Sequence, residues 1–521
     1  MKNKIIYILL ASFGLSFFSC TKDFNEVNTD PIGMREVEPH QLMANSLVNV
    51  MSTNMLRNRN FNNELMQVTV DISEAEGKIF RYDVRRNWSD YTWNNWYINL
   101  SDFVDIQKIA SQPNKLNKSY QGISLILQSW VYQLLTDTYG DVPFTEANKG
   151  RDGNYQPAFD RQKDIYTGMF AKLEEANELL KTGTAIVATS DPVFKGDIEK
   201  WRRFGNSLYL RLLLRVAGKA EVAATVTAKM KEIIETNAAN YPIIENNDQT
   251  AKLEWSGSSS STAVYTSPFM ASVRANDFYA VSICDFFLGK PVAWDMPMVE
   301  PTLGTGNVPR WGIARGADGY VGVVSGYSPG SGVVRQSYFY AYDANNATRT
   351  NLQTDKFTGV LMNAAEVSFI KAEAAARGWI GGNVADYYYL GMAQTINYWM
   401  PNYITSPTDA KFTSYVTTAN LTWDPTLPLD NLTFGGKSQL EMIHIQKYYA
   451  MFLVDFQQWF EYRRTGHPIL PKGTGLVNNG KMPARMFYPV ITQSANPANY
   501  KDAVAAQGPD DINTLVWWQK P

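Results

Sequence analysis

The chain has 521 residues, of which 45% are hydrophobic and 13% aromatic, and its formal net charge is −2. That charge excludes the basic field that binds nucleic acid or anionic lipid, and three scattered histidines with two cysteines argue against a zinc site. The length exceeds the roughly 250–300 residues at which one compact core stops growing, so we expect either two domains or an elongated helical array.

The first 19 residues have the pattern of a secretory signal peptide. Lys2 and Lys4 precede an apolar run, residues 5–18, that is too short and wrongly flanked to span a bilayer. The run leads into Ser19-Cys20, which resembles a bacterial lipoprotein cleavage site. We expect signal-peptide cleavage after residue 19, lipid on Cys20 and a polar tether over residues 20–38. The alternative is a plain signal peptide with an incidental cysteine.

Lipid on Cys20 would leave Cys284 without a disulfide partner. Each buried CH₂ of an acyl chain contributes about 0.8 kcal/mol, so several chains would hold the protein at a membrane. An exported protein of this size without a disulfide depends on its core for stability.

Helices are predicted over most of the first half. Residues 119–139 repeat apolar side chains at helical spacing, and Gly140 and Pro143 then end the pattern. A second helix is predicted over residues 198–219, with its stripe formed by Trp201, Phe204, Leu208, Leu212 and Val216.

The middle of the chain, about residues 256–346, changes character. It is rich in Gly, Ser, Pro and aromatic residues, and short alternating pieces such as residues 336–342 predict small strands. Long irregular segments within a compact protein are usually functional, so we expect this insertion to carry ligand contacts.

Helices are predicted again in the last third. Residues 361–376 carry a stripe of small side chains that lets another helix approach closely, and residues 445–460 carry a bulky aromatic stripe. The second helix is predicted to end at Arg463-Arg464-Thr465-Gly466, where the two arginines suit the helix dipole. Paired helices with short turns suggest a tetratricopeptide-like array, although no clean repeat period is visible.

One motif suggests a serine hydrolase. Residues 326–330 fit the G-x-S-x-G nucleophile elbow, but that elbow needs the backbone N–H of the residue after the serine, and Pro329 has none. A glycosidase pair is harder to exclude, because its two carboxylates meet only in space. Four acidic residues could supply such a pair and are interpreted instead as helix-end and interhelical hydrogen-bond partners: Asp137, Asp141, Glu366 and Glu373. No phosphate loop or EF-hand spacing is found, so we expect no cofactor or metal.

Several separated segments together resemble the SusD/RagB family of Bacteroidetes surface lipoproteins. The most recognisable is WVYQLLTDTYGDVPFTEA, residues 130–147, a helix that ends in Tyr-Gly-Asp-Val-Pro. The similarity extends, in the family's order, over nearly the whole mature chain: residues 23–31, 201–215, 366–379, 446–466 and 483–518.

The resemblance implies a mostly α fold of tetratricopeptide-like helix pairs, with irregular loops and small β insertions, as a single domain over residues 39–521. It also implies that the protein is not an enzyme. Such a protein covers a SusC-like TonB-dependent outer-membrane barrel, captures oligosaccharide or peptide and releases it into the barrel. Lys22-Asp23 after Cys20 is similar to the export signal of these lipoproteins and favours display at the cell surface.

No family motif identifies ligand contacts, so they are predicted from composition. Flat aromatic rings outside helical stripes suit the C–H faces of sugars, and arginines suit their polar rims. The predicted stacking residues are Trp88, Trp294, Trp311 and Tyr320, and the predicted hydrogen-bonding residues are Arg81 and Arg310. Each of these could instead close a loop onto the core. Two other functions stay open, a lipid-anchored surface hydrolase and a structural surface protein without a small ligand.

Overall fold

The structure, a computed structural model, describes residues 37–260, 262–299 and 310–520. The predicted signal peptide, Cys20 and nearly all of the tether lie outside these residues. Within them, no helix combines the length and the apolar character that crossing a membrane requires.

The first part of the described chain is a series of helices, each of which packs against a neighbour in chain order. The bounds are α1 Pro39–Arg57, α2 Asn63–Leu65, α3 Ser89–Ala110, α4 Lys118–Tyr139, α5 Gln162–Lys181, α6 Ile198–Val216 and α7 Ala220–Lys231. Helices α1, α3, α4, α5, α6 and α7 follow one another in contact, as in an array of helix pairs.

Helix α4 shows why the sequence pattern predicts these elements well. The Asn117 side chain accepts hydrogen bonds from the backbone N–H groups of Ser119 and Tyr120, which caps the first turn. Gly140 follows the helix with φ of 87°, a conformation that favours glycine, so the helix ends there as predicted. Trp130 lies on the buried side at 0% exposure.

The middle of the chain combines short helices with two-stranded antiparallel sheets. The helices are α8 Pro268–Ser272, α9 Ala275–Tyr279 and α10 Asp285–Ala293, and the strands are β1 Thr69–Val70, β2 Ala251–Lys252, β3 Ser282–Ile283, β4 Ile313–Ala314, β5 Tyr338–Phe339 and β6 Val360–Met362. Strand β1 pairs with β3, β2 with β6 and β4 with β5, where Ile313 faces Phe339 and Ala314 faces Tyr338. The small strands predicted in this region are confirmed by β4 and β5.

The last part is helical again, with α11 Ala364–Ala376, α12 Val384–Trp399, α13 Ala410–Thr418, α14 Gln439–Ala450, α15 Gln457–Thr465, α16 Val490–Ala495 and α17 Pro497–Gln507. Helix α11 packs against α12, α14 and α6. The close approach predicted for its small residues is visible at Gly391 of α12, where a Cβ atom would lie 2.7 Å from the Phe369 ring.

The predicted helix over residues 445–460 is wrong in one respect, because the structure breaks it between α14 and α15. Leu453 and Asp455 have φ of 68° and 30°, which an α-helix cannot contain. The break is held by tertiary contacts, since Asn58 of the N-terminal region donates a 2.5 Å hydrogen bond to the Asp455 carbonyl. Leu361, predicted as part of the α11 stripe, lies instead in β6.

Candidate ligand-binding site

A row of tyrosines lies where β5 runs along the surface of the middle region. Side chains alternate along a strand, so Phe339 and Ala341 point into the core at 5% exposure each, and Tyr338, Tyr340 and Tyr342 stay half-buried on the other face. Phe339 anchors the strand, because its ring stacks on the Phe452 ring at 5.9 Å. The core therefore fixes which residues of the strand face solvent.

These rings form the wall of a cavity of about 310 Å³. Tyr279, the last residue of α9, lies with its ring centroid 6.2 Å from that of Tyr338, and Tyr338 lies 5.9 Å from Tyr340. The other lining residues are Ala275, Ala341, Tyr342, Asp343 and Arg349. A ligand in this cavity would meet several aromatic faces and edges together with one guanidinium.

Tyr320 lies beside the same cluster, because the Ser337 backbone N–H, next to Tyr338, donates to the Val321 carbonyl at 3.0 Å. Burial raises the pKa of Tyr340 above its ordinary value, and the neighbouring Tyr338 and Tyr320 raise it further, while Arg349 opposes them. The Tyr340 phenol therefore stays neutral at physiological pH and keeps its O–H as a hydrogen-bond donor. We call this cluster the tyrosine platform, formed by Tyr279, Tyr320, Tyr338, Tyr340 and Tyr342.

A second cavity, of about 300 Å³, lies on the other side of α9. Residue Asp277 of α9 lines this polar pocket, whereas Ala275 and Tyr279 of the same helix line the platform cavity. The other polar or aromatic lining residues are Arg59, Asn60, Glu64, Asp71, Lys78 and Trp88. Both cavities border one short helix, so an extended ligand could contact them together.

Glu64 is the chemically unusual residue of the polar pocket. Burial and the nearby Asp71 raise the pKa of its carboxyl to about 8, against a weaker opposing effect of the Phe80 backbone N–H that donates to it at 3.2 Å. The carboxyl is therefore largely protonated near neutral pH and can donate a hydrogen bond to a neutral ligand.

Three of the predicted ligand residues line a cavity or join the platform. Tyr320 lies in the platform. Trp88 is half-buried at the polar pocket, where the Arg57 guanidinium lies 5.1 Å from the ring centroid. Trp294 is half-buried in a different cavity of about 230 Å³, where its ring meets Tyr449 edge-on at 5.9 Å.

The other three predicted residues are held by the protein itself. Trp311 is 0% exposed, with Phe287, Phe452 and Trp399 around its ring, so no face is open for a sugar. Arg81 is buried and donates to the Tyr327 carbonyl at 3.1 Å.

Arg310 makes contacts of the same kind. It donates to the Trp399 carbonyl at 2.7 Å and pairs with Asp355. The enclosed ring of Trp311 thus contradicts its predicted stacking role, whereas Arg81 and Arg310 have structural contacts of their own.

Sequence reasoning missed Tyr279, Tyr338, Tyr340 and Tyr342. The signal was present in the letters YFYAY over residues 338–342, because a strand places every second side chain on one face. The alternation predicts a strand, and a strand places Tyr338, Tyr340 and Tyr342 on one surface, which the predicted ligand residues did not include.

The four acidic residues considered for catalysis have structural partners. Glu366 pairs with Arg211 at 2.6 Å, and Asp141 pairs with Arg161 at 3.0 Å. Asp137 accepts from the Tyr166 hydroxyl at 2.6 Å and from the Trp518 indole N–H at 2.8 Å. Their interpretation as interhelical partners agrees with these contacts.

Glu373, His444 and Glu461 have ligand atoms within 4.8 Å of one another, a spacing that a metal ion could use. Cations of the chain already fill this position, since Arg464 reaches Glu373 at 2.6 Å and Lys447 reaches Glu461 at 2.7 Å. The cluster is a buried ion network. Arg464 lies in the last turn of α15, as predicted, and its guanidinium also turns inward to this network.

The solved structures similar to this chain share its fold. A chitin-binding SusD homologue from Flavobacterium johnsoniae has a TM-score of 0.72 at 20% identity, with 92% of this chain and 98% of that chain covered. A SusD homologue from Bacteroides fragilis has a TM-score of 0.69 at 21% identity, covering 93% and 100%. One from Bacteroides uniformis has 0.68 at 22% identity, covering 93% and 99%. The predicted mostly helical SusD-like fold is confirmed.

A search of the curated proteins finds no match to the chain. A SusD-like family model, described as "starch-binding associating with outer membrane", matches residues 31–489. Because this match spans most of the 521 residues, the protein belongs to the SusD-like family of outer-membrane-associated binding proteins and is not an enzyme.

Proposed function

We propose that this protein is a surface lipoprotein that captures oligosaccharide on the tyrosine platform and delivers it to a SusC-like TonB-dependent barrel. The observation that carries the proposal is the platform cavity, where Tyr279, Tyr338, Tyr340 and Tyr342 meet at the surface. Sugar rings present C–H faces that pack on such rings, and phenol hydroxyls and guanidinium groups supply polar contacts at their edges.

The description of the family as starch-binding and the chitin-binding homologue both support a glycan ligand. The polar pocket beside α9 adds hydrogen-bonding groups within reach of the same ligand, including the protonated carboxyl of Glu64. Trp88 lies in that pocket, and we keep it as a second stacking residue. Trp294 lies in a separate cavity, and we propose it only as an additional contact site.

Isothermal titration of the mature protein against malto- and chito-oligosaccharides and a peptide panel tests the ligand class. Tyr340→Ala should weaken glycan binding at least about fivefold, because stacking on one ring contributes on the order of 1–3 kcal/mol in comparable aromatic contacts. Tyr340→Phe should retain most of the affinity if stacking dominates. Tyr155→Ala is the matched control, since Tyr155 is 79% exposed and lines neither cavity.

Equal glycan affinity in Tyr340→Ala and Tyr155→Ala, or binding of peptides alone, would contradict the proposal. Turnover of a glycan by the purified protein would favour a hydrolase instead.

The anchor and the partner need separate tests in cells. Cys20→Ala should move the protein from the membrane fraction to the soluble fraction, because the acyl chains supply the membrane affinity. A tagged wild-type protein should co-purify with a TonB-dependent barrel encoded beside its gene. Unchanged membrane retention of Cys20→Ala would remove the lipid anchor from the proposal, and failure to recover the barrel would remove the partner.

A further inference from the structure

Three arginines lie on the tyrosine platform, each with its guanidinium over a tyrosine ring. Arg335 lies 4.1 Å from the centroid of Tyr338, Arg349 lies 4.1 Å from Tyr340, and Arg315 lies 5.0 Å from Tyr320. A guanidinium that stacks by its face leaves the N–H donors of its edge directed outward. Arg349 lines the cavity, and Arg335 lies on Tyr338, whose ring lines it, so both guanidinium groups stand beside the cavity.

Among the described residues, carboxylates leave much of that donor capacity unused. Arg335 is exposed and donates one hydrogen bond, at 3.0 Å, to the Tyr279 carbonyl. Arg349 has only a 3.5 Å contact with Asp343, and its Nε is buried without a partner. Among the residues that the structure describes, neither Arg315 nor Arg335 has a carboxylate within 4.0 Å.

The local charge is positive although the whole chain carries −2. Near the three arginines, Asp343 contacts Arg349, and Asp318 lies exposed in the turn that follows Arg315. Arg274 and Asp277 of the neighbouring helix α9 region neutralise each other at 2.7 Å. In the part of the chain that the structure describes, three guanidinium groups thus stand against two carboxylates around the platform.

We propose that the platform selects glycans that carry anionic groups, carboxylate or sulfate, over neutral glycans. The sugar faces pack on the tyrosines, and the anionic substituents bind the outward edges of Arg335, Arg349 and Arg315. Paired N–H donors of a guanidinium match the two oxygens of a carboxylate or a sulfate, and such charge-assisted bonds are the stronger class. This inference rests on the proposed function and names the chemical class of its ligand.

Titration calorimetry with three probes of similar length tests the selection: an oligogalacturonide, its methyl ester and a sulfated galactan oligosaccharide. At 50 mM NaCl the mature protein should bind at least one anionic probe about tenfold or more tighter than the neutral methyl ester. The preference should shrink at 500 mM NaCl, because salt screens exposed charges. Tighter binding of the oligogalacturonide would assign carboxylate as the recognised group, and tighter binding of the sulfated probe would assign sulfate.

Arg335→Gln and Arg349→Gln should each weaken binding of the preferred anionic probe several-fold more than they weaken binding of the methyl ester. Arg151→Gln is the matched control, because the Arg151 side chain is 87% exposed and pairs with Asp105 away from the platform. Equal affinity for charged and neutral probes, or an unchanged preference in both platform variants, would overturn the inference and leave the proposed function standing. Absence of glycan binding to any probe, or unchanged binding in Tyr340→Ala, would instead overturn the proposed function.

Discussion

Arginine makes opposite kinds of contact in the helical scaffold and on the tyrosine platform. In the scaffold, Arg211 pairs with Glu366 of α11, and Arg464 pairs with Glu373 and Glu461, all with side chains at most 8% exposed. On the platform, Arg335 is exposed, lies on Tyr338 and contacts no carboxylate among the described residues. Arginine thus stabilises the fold where it is buried, and it keeps donors available to a ligand where it is exposed.

Burial explains the difference. Taking a charge out of water costs several kcal/mol, so a buried guanidinium needs carboxylates of its own chain to offset that cost. An exposed guanidinium keeps its hydration, and a stacking partner can orient it without using its donors. The partner of an arginine, rather than its presence, therefore separates structural from ligand-binding roles in this protein.

Removing a scaffold carboxylate should produce the largest effect. Glu373→Gln leaves Arg464 with only Glu461 and should lower the free energy of unfolding by about 3–5 kcal/mol, the usual cost of breaking a buried pair. Burial alone would raise the pKa of Glu373, but Arg464 and His444 hold it well below its ordinary value. The stabilisation is therefore present above the unfolded-state pKa of about 4.3 and is lost as the pH falls further.

Urea denaturation at pH 7 measures this loss, with Arg335→Gln as the platform counterpart. We expect the Arg335→Gln value to stay within about 0.5 kcal/mol of wild type, as for most surface substitutions. Similar losses for the two variants would break the distinction between scaffold and platform arginines.

The polar pocket offers an intermediate case, a buried carboxyl whose nearby cations, Lys78 and Arg59, only partly offset the effect of burial on its pKa. Glu64 has a pKa of about 8 in the folded protein, chiefly from burial, so the folded chain holds this proton more tightly than the unfolded chain. Its contribution to stability is full below about pH 4.3 and falls as the pH rises toward 8, by up to about 1.4 kcal/mol per pH unit.

Glu64→Gln keeps the shape of the side chain and removes its titratable carboxyl. Urea unfolding at pH 5.5, 6.5 and 7.5 should show a weaker decline of stability with pH in Glu64→Gln than in wild type. Parallel pH profiles of the two proteins would mean that Glu64 is ionised in the folded state. Asp277→Asn provides the control, because Asp277 lines the same pocket but is exposed and pairs with Arg274.

The scaffold could be predicted from the sequence because its signals are local. The apolar stripe of residues 119–139 and the glycine that follows it specify α4 without reference to other segments. The break between α14 and α15 could not be predicted, because it depends on Asn58, which is 397 residues away from Asp455. A helical apolar stripe that is continuous in the sequence can still be interrupted by a tertiary contact.

The ligand-binding residues were harder to predict, because composition does not show which side chains are buried. Trp311 and Tyr320 lie in the same irregular segment, yet the first is enclosed by Phe287 and Phe452 and the second faces the platform. Arg310 and Arg315 differ in the same way, since Asp355 is available to one and not to the other. Only the alternation of residues 338–342 carried a local signal for the platform.

The smallest expected effect tests whether the platform arginines need the planar, paired N–H donors of the guanidinium or only its positive charge. Arg335→Lys keeps the positive charge and removes the planar pair of donors, so stability should change by less than about 0.5 kcal/mol. If that pair of donors matters, this variant should bind an oligogalacturonide a few-fold more weakly than wild type in calorimetry, with the salt dependence retained. Wild-type affinity in Arg335→Lys together with weak binding in Arg335→Gln would reduce the role of Arg335 to charge alone. Because the buried Arg211 binds both oxygens of Glu366, the same substitution there should destabilise the fold, whereas on the platform it should change ligand affinity alone.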